Sequence, residues 1–288
     1  ITNEIIGAFK IERLMALSHI ADVMVCVDTA DNVRELSTAA AFHGAHLGVL
    51  IEVDVGMHRC GVASAEEALE LARLVQASPG LTLRGLQGYE GHAVMKPTHE
   101  EREKLALEAM QQLTGVAAYL RANGVPIEVL AGGGTGTCDV TGAYPGITDI
   151  EAGSYATMDA RYAGVGAPFQ PALSVLVTVV SRPRPDTLVV DCGLKGITSE
   201  FGMPVVLDVP GATIASLSEE HAKIVLSDPA QVALKPGDTI ELRPSHGCTT
   251  INLYSHYVAC RGDRVEALWP VDARGCVTDC CQERGGAG

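Results

Sequence analysis

The stretch Gly48-Val49-Leu50-Ile51-Glu52-Val53-Asp54-Val55, followed at once by Gly56-Met57-His58-Arg59-Cys60-Gly61, decides the fold. A short β-branched run that breaks into glycines and polar side chains reads as a buried strand ending in a functional loop. Working outward, similar strand signals recur at 23–28, 81–89, 127–130 and 149–155. Helix signals lie between them: Ser64 with Glu67 and Thr98 with Glu101 have capping-box spacing, and Asn123-Gly124 closes a helix whose Leu105, Ala109, Leu113, Val116 and Leu120 share one face. Strands alternating with helices predict βα units and a parallel sheet.

After Pro168 helical periodicity fades. Val-rich runs at 172–180 and 187–191 are separated by Arg182-Pro183-Arg184-Pro185, and further strand signals follow at 239–243 and 251–260. The expectation is a parallel α/β domain over 1–165 and a mainly antiparallel β domain over 166–288.

Composition narrows the function classes. The chain has 288 residues, 47% hydrophobic and 19% charged, enough for a sizeable core. A formal net charge of -14 argues against nucleic acid as a partner, because that affinity draws on clustered Lys and Arg. The apolar runs are shorter than the roughly 20 residues that a membrane helix needs, so no membrane partner is expected. Nine cysteines, an odd number without metal-ribbon spacing, suggest reduced thiols and a cytoplasmic location. Cys276, Cys280 and Cys281, in a polar tail, read as bystanders.

Three groups of glycines and polar residues follow strand signals: 54–61, 88–92 and 131–137. In a βα barrel the carboxyl ends of the strands form one rim, and that rim carries the active site. Any one group reads as an ordinary turn, whereas three on one rim favour a site. Gly132 to Thr137 has the composition of a phosphate cradle, but it is neither a Walker sequence nor a dinucleotide fingerprint. His92, three residues after Tyr89 on the second rim loop, is a candidate catalytic group, with a solvated loop histidine as the plainer reading. Further on, His246-Gly247-Cys248 puts an imidazole and a thiol on one face if the segment is extended, a pair suited to a borderline-soft divalent metal such as zinc.

The segments 52–62, 132–137 and 151–155, together with the stretch from Pro244 through Trp269-Pro270 to Gly275, resemble the D-serine dehydratase and D-threonine aldolase family. The resemblance implies pyridoxal phosphate and a divalent metal, zinc or manganese, as cofactors. It also implies a (β/α)8 TIM-type barrel of alanine-racemase type, here partial, followed by the β domain. By position it places Arg59 at the cofactor's phenolic oxygen and Tyr89 near its ring, makes Gly134, Thr135, Gly136 and Tyr155 phosphate contacts, and makes His246 and Cys248 the metal pair. It implies a homodimer and a small D-amino acid as substrate. The family's cofactor-bearing lysine belongs to a strand upstream of the segment that 1–7 resembles. Of the six lysines here only Lys96 lies in a rim loop, so the resemblance implies a truncated chain whose full-length parent is the enzyme.

The function expected is a lyase of D-configured 3-hydroxy amino acids. A cysteine at 248, where the aldolase branch has a carboxylate, favours a D-serine dehydratase-like reaction, giving pyruvate and ammonia, over D-threonine aldolase cleavage to glycine and acetaldehyde. The rival for the chain as it stands is a non-catalytic pyridoxal-phosphate-binding fragment.

Overall fold

The computed structural model describes residues 1–275, and Cys276, Cys280 and Cys281 lie outside the described residues. Two compact units divide the chain, Ile1–Gly153 and Ser154–Gly288.

In the first unit β1 (Met24–Val27), β2 (Leu47–Glu52), β3 (Leu81–Gly88), β4 (Val129–Gly132) and β5 (Asp149–Ile150) lie side by side in chain order. Each neighbouring pair is parallel. All six residues of β2 are buried, as expected of a strand covered on both faces. Helix α1 (Ala8–Ser18) precedes β1, and α2 (Ala30–His43), α3 (Ala65–Ala77), α4 (His99–Ala122) and α5 (Cys138–Ala143) fill the four crossovers. Both capping signals work. Ser64 Oγ accepts from Glu67 N at 3.1 Å, and Thr98 forms a complete capping box with Glu101. Asn123 caps α4 and Gly124 follows with φ +81. Ala109, Leu113, Val116 and Leu120 of the expected stripe are buried in the main core, with Leu36, Leu47, Ile51 and Leu86. This is the barrel part of an alanine-racemase-like fold.

In the second unit a short helix α6 (Ala160–Gly164) precedes β6 (Val175–Arg184), β7 (Thr187–Val190), β8 (Val205–Val206), β9 (Ala212–Leu217), β10 (Ala222–Leu226) and β11 (Thr239–Arg243). They form a six-stranded sheet in the order β8-β11-β6-β7-β10-β9, with antiparallel pairing throughout the β6, β7, β9, β10, β11 and β8 contacts. Val177, Val179, Leu188, Val190, Ile224 and Leu242 build its core. Helix α7 (Gly247–Ile251) and the hairpin of β12 (His256–Arg261) and β13 (Arg264–Pro270) complete the described residues.

Three local expectations need correction. Strand 149–155 stops after Ile150 and Tyr155 sits in a 3-10 turn, Ser154–Ala156, because Gly153 and Ser154 favour a turn over extended pairing. Residues 251–260 are not one strand: Ile251 ends α7 and pairing begins at His256. The Arg-Pro-Arg-Pro segment does not break β6. Register shifts around Ser181 absorb the irregularity, and the Arg182 guanidinium donates to the carbonyls of Pro185, Pro229, Val232 and Leu234. Among the described residues no helix is long and apolar enough to cross a membrane.

Candidate active site

In the first unit the loops after β2, β3 and β4 carry the rim residues. Asp54 shapes the first loop: its Oδ1 accepts from Gly56 N at 3.0 Å and His58 N at 2.9 Å, and its Oδ2 lies 2.8 Å from His58 Nδ1. His58 adopts φ +54, and Gly61 N reaches back to Asp28 Oδ2 at 3.1 Å. The turn so formed brings the Arg59 guanidinium to 5.7 Å from the Tyr89 ring centroid, a cation–π distance. The two residues thus meet across loops from neighbouring strands.

The Gly-rich loop is anchored by a side chain to which the sequence reading gave no role. Glu90 is fully buried. Its Oε2 accepts from Gly133 N at 2.9 Å, and its Oε1 accepts from Thr137 Oγ1 at 2.7 Å and Thr141 Oγ1 at 2.6 Å. Gly134 N donates to Thr137 Oγ1 at 3.2 Å, and Thr137 N to Gly134 O at 3.1 Å. The amides of Gly133, Gly134 and Thr137 therefore already have partners, Glu90 for the first and the loop itself for the other two, and an anion would be met by the loop's other donors. Packing requires Gly136, since a Cβ there would lie 1.8 Å from Val94 O.

Inside the strand ends lies a polar, acid-rich layer. Cys26 Sγ donates to Gln87 Oε1, both buried. Burial, with help from Glu52 and Glu151, pushes the Cys26 thiol up. Burial and a hydrogen bond with Glu4 raise the Glu52 carboxyl to about 8, while burial and the neighbouring Glu90 raise Glu151 to about 7. His92 packs its ring on Gly56, and its Nδ1 is buried without a hydrogen-bond partner among the described residues, as is Glu151 Oε1. Buried polar atoms are normally satisfied by a partner, and water or a polar ligand could meet these two. With the Arg59 cation alongside, the residues fit a polar anionic cofactor such as pyridoxal phosphate.

In the second unit His246 and Cys248 meet, though not through strand alternation. His246 is the N-cap residue of α7 and Cys248 lies in its first turn. The imidazole hydrogen-bonds the Cys248 sulfur on one side and the Asp159 carboxylate on the other, with Nδ1 3.0 Å from Asp159 Oδ2. Burial pushes the imidazole down, but these two bonds outweigh it and raise His246 to about 10. The bond from His246, joined by one from Ser154, holds the Cys248 thiol below its ordinary range despite burial. A thiolate beside an imidazole is a donor set that suits a borderline-soft divalent metal. Glu4, Asp28 and Cys60 also bring ligand atoms within 4.8 Å of one another, and burial with those acids pushes the Cys60 thiol up. Tyr155, 48% exposed, packs against Phe169 at 5.3 Å between ring centroids. The six described cysteines are all free thiols.

Residues 1–157 match the alanine racemase N-terminal domain family and residues 172–260 the putative serine dehydratase domain family. The chain is 38% identical over 282 residues to D-threonine aldolase of Arthrobacter sp, covering 96% of this chain and 73% of that protein. It is 36% identical over 285 residues to 3-hydroxy-D-aspartate aldolase of Paracoccus denitrificans (strain Pd 1222), with the same shares covered. The crystal structure of D-threonine aldolase from Filomicrobium marinum superposes with a TM-score of 0.92 at 36% identity, covering 96% of this chain and 75% of that one. A two-part chain with an alanine racemase-type barrel and a serine dehydratase-type β domain, alike over nearly all its length to these enzymes, belongs to the D-serine dehydratase and D-threonine aldolase family, a family of lyases.

Proposed function

We propose that the protein is a pyridoxal-phosphate- and metal-dependent lyase that breaks the Cα–Cβ bond of a D-configured 3-hydroxy amino acid. The likeness to two aldolases over 96% of the chain carries this reading, and it displaces the dehydratase preference drawn from Cys248. When bound, pyridoxal phosphate withdraws electrons from the substrate's α-carbon and the metal acts as a Lewis acid. In the first unit Arg59, Tyr89, Gly134, Thr135 and Gly136 hold the cofactor. His92, with its unpaired buried Nδ1, moves a proton. In the second unit Tyr155 is a further cofactor contact, and His246 and Cys248 hold the metal. The protein works as a cytoplasmic homodimer, a state that light scattering would check.

The residues permit a second reaction on the same substrate class. Cys248 keeps water elimination as the second reading, because the resemblance associates a cysteine at this position, in place of a carboxylate, with the dehydratase branch. The discriminating assay incubates the full-length parent, which the resemblance expects to carry the cofactor-bearing lysine, with pyridoxal phosphate and manganese or zinc. Glycine with acetaldehyde from D-threonine, lost on chelation and in Cys248→Ala, supports the aldolase. Pyruvate from D-serine under the same controls supports the dehydratase. Product formation indifferent to both chelator and Cys248→Ala refutes the metal role.

A further inference from the structure

Asp159 has no role in the readings above, yet it is fully buried and its three hydrogen bonds all point at the metal pair or its support. Oδ1 accepts from Tyr162 N at 2.8 Å, capping α6. Oδ2 accepts from Gly247 N at 3.1 Å and lies 3.0 Å from His246 Nδ1. Ala160 N donates to Pro244 O at 2.9 Å, so the segment that carries Asp159 is tied to the segment that leads into His246.

The consequence is a choice of imidazole nitrogen. A carboxylate oxygen has only lone pairs to offer, so the ring atom facing it must be an N–H. Nδ1 therefore carries the proton and Nε2 is the atom turned elsewhere. Gly247 N, held by the same oxygen, is the backbone step between His246 and Cys248. Phe201 packs edge-on against the imidazole, with centroids 4.8 Å apart at 62°, and limits its rotation. We propose that Asp159 is the positioning residue of the metal site, fixing Nε2 of His246 as the ligating atom and, through Gly247, holding Cys248 beside it.

This rests on the metal reading of His246 and Cys248, and the test separates the two. The probe is Cd²⁺ added to the purified protein, read by thiolate-to-metal absorption and by ring ¹⁵N spectra with ¹¹³Cd. Asp159→Asn keeps the volume, but its NH2 must face either Tyr162 N–H or the Gly247 N–H and His246 pair. Turning to the second pair pushes the imidazole to its Nε2–H tautomer, which cannot ligate through Nε2. Outer-shell partners of this type are worth about 10–100-fold in metal affinity, so Asp159→Asn weakens Cd²⁺ binding by about that factor with circular dichroism unchanged. In the unsubstituted protein cadmium couples to His246 Nε2.

Coupling to Nδ1 overturns the proposal even if Asp159→Asn fails to fold. Folded Asp159→Asn that binds as tightly as the parent, while Cys248→Ala does not bind, overturns the proposal alone. Cadmium binding that Cys248→Ala leaves unchanged overturns the metal reading and the proposal with it.

Discussion

Removing the Glu90 carboxylate should release the Gly-rich loop, and the structure supplies the magnitude. Glu90→Ala deletes the acceptor for Gly133 N, Thr137 Oγ1 and Thr141 Oγ1 in a site with no exposed surface. Each stranded buried donor costs about 1–3 kcal/mol, although the two hydroxyls recover part by turning, which leaves about 3–5 kcal/mol in all. Glu90→Gln behaves differently. With its oxygen toward Gly133 N and its NH2 toward the hydroxyls, which can accept as well as donate, it keeps every partner and should cost about 1 kcal/mol. Hydrogen exchange of residues 131–141 is the assay, because the loss is local and every 1.4 kcal/mol speeds exchange about tenfold. Glu90→Ala should accelerate exchange there by at least about a hundredfold and Glu90→Gln by about tenfold or less. Equal effects from the two substitutions, or an alanine variant with unchanged exchange, would refute the anchoring role.

Gly136→Ala should destabilise by about 1–3 kcal/mol in chemical denaturation, since its Cβ would meet Val94 O at 1.8 Å, and parental stability would show that the backbone can yield. Thr98→Ala should cost about 1 kcal/mol and Thr98→Ser much less, because only the first loses the capping-box oxygen that Glu101 N uses, and equal melting temperatures would contradict this. Glu151 carries a pH prediction. Its folded pKa, raised to about 7 by burial, lies above that of the unfolded chain, so its contribution to stability is complete below about pH 4.5 and disappears as pH rises through 7. Glu151→Gln never ionises and should be more stable than the parent by about 1–2 kcal/mol at pH 8, allowing for its partial exposure to solvent, with no difference near pH 4. A gap that widens toward acid would reverse the sign and defeat the argument.

What the sequence makes legible is what short-range physics writes into it. The two capping signals, Asn123-Gly124 and the stripe on α4 depend on residues within a few positions of one another, and the structure reproduces them. The strand cores likewise follow from β-branched runs, whereas strand ends depend on pairing partners far along the chain, which is why Tyr155 left its predicted strand and Ile251 entered a helix. The His246 and Cys248 pair is visible because both residues have distinctive chemistry two positions apart.

Glu90 and Asp159 were hidden for a different reason. Glu90 stands inside a quoted rim motif, and Asp159 is the N-cap of a five-residue helix, but carboxylates are common and neither carries a local mark of its task. Their partners lie 43 to 51 residues away for Glu90 and 87 to 88 for the long-range bonds of Asp159, and most are backbone amides or hydroxyls, which any sequence could supply. Asp149, by contrast, is exposed and accepts from the hydroxyl of its neighbour Thr148 at 2.6 Å. Composition cannot tell these acids apart. Burial can, because a carboxylate kept from water persists only where several donors converge on it, and that convergence marks a residue positioning its neighbours.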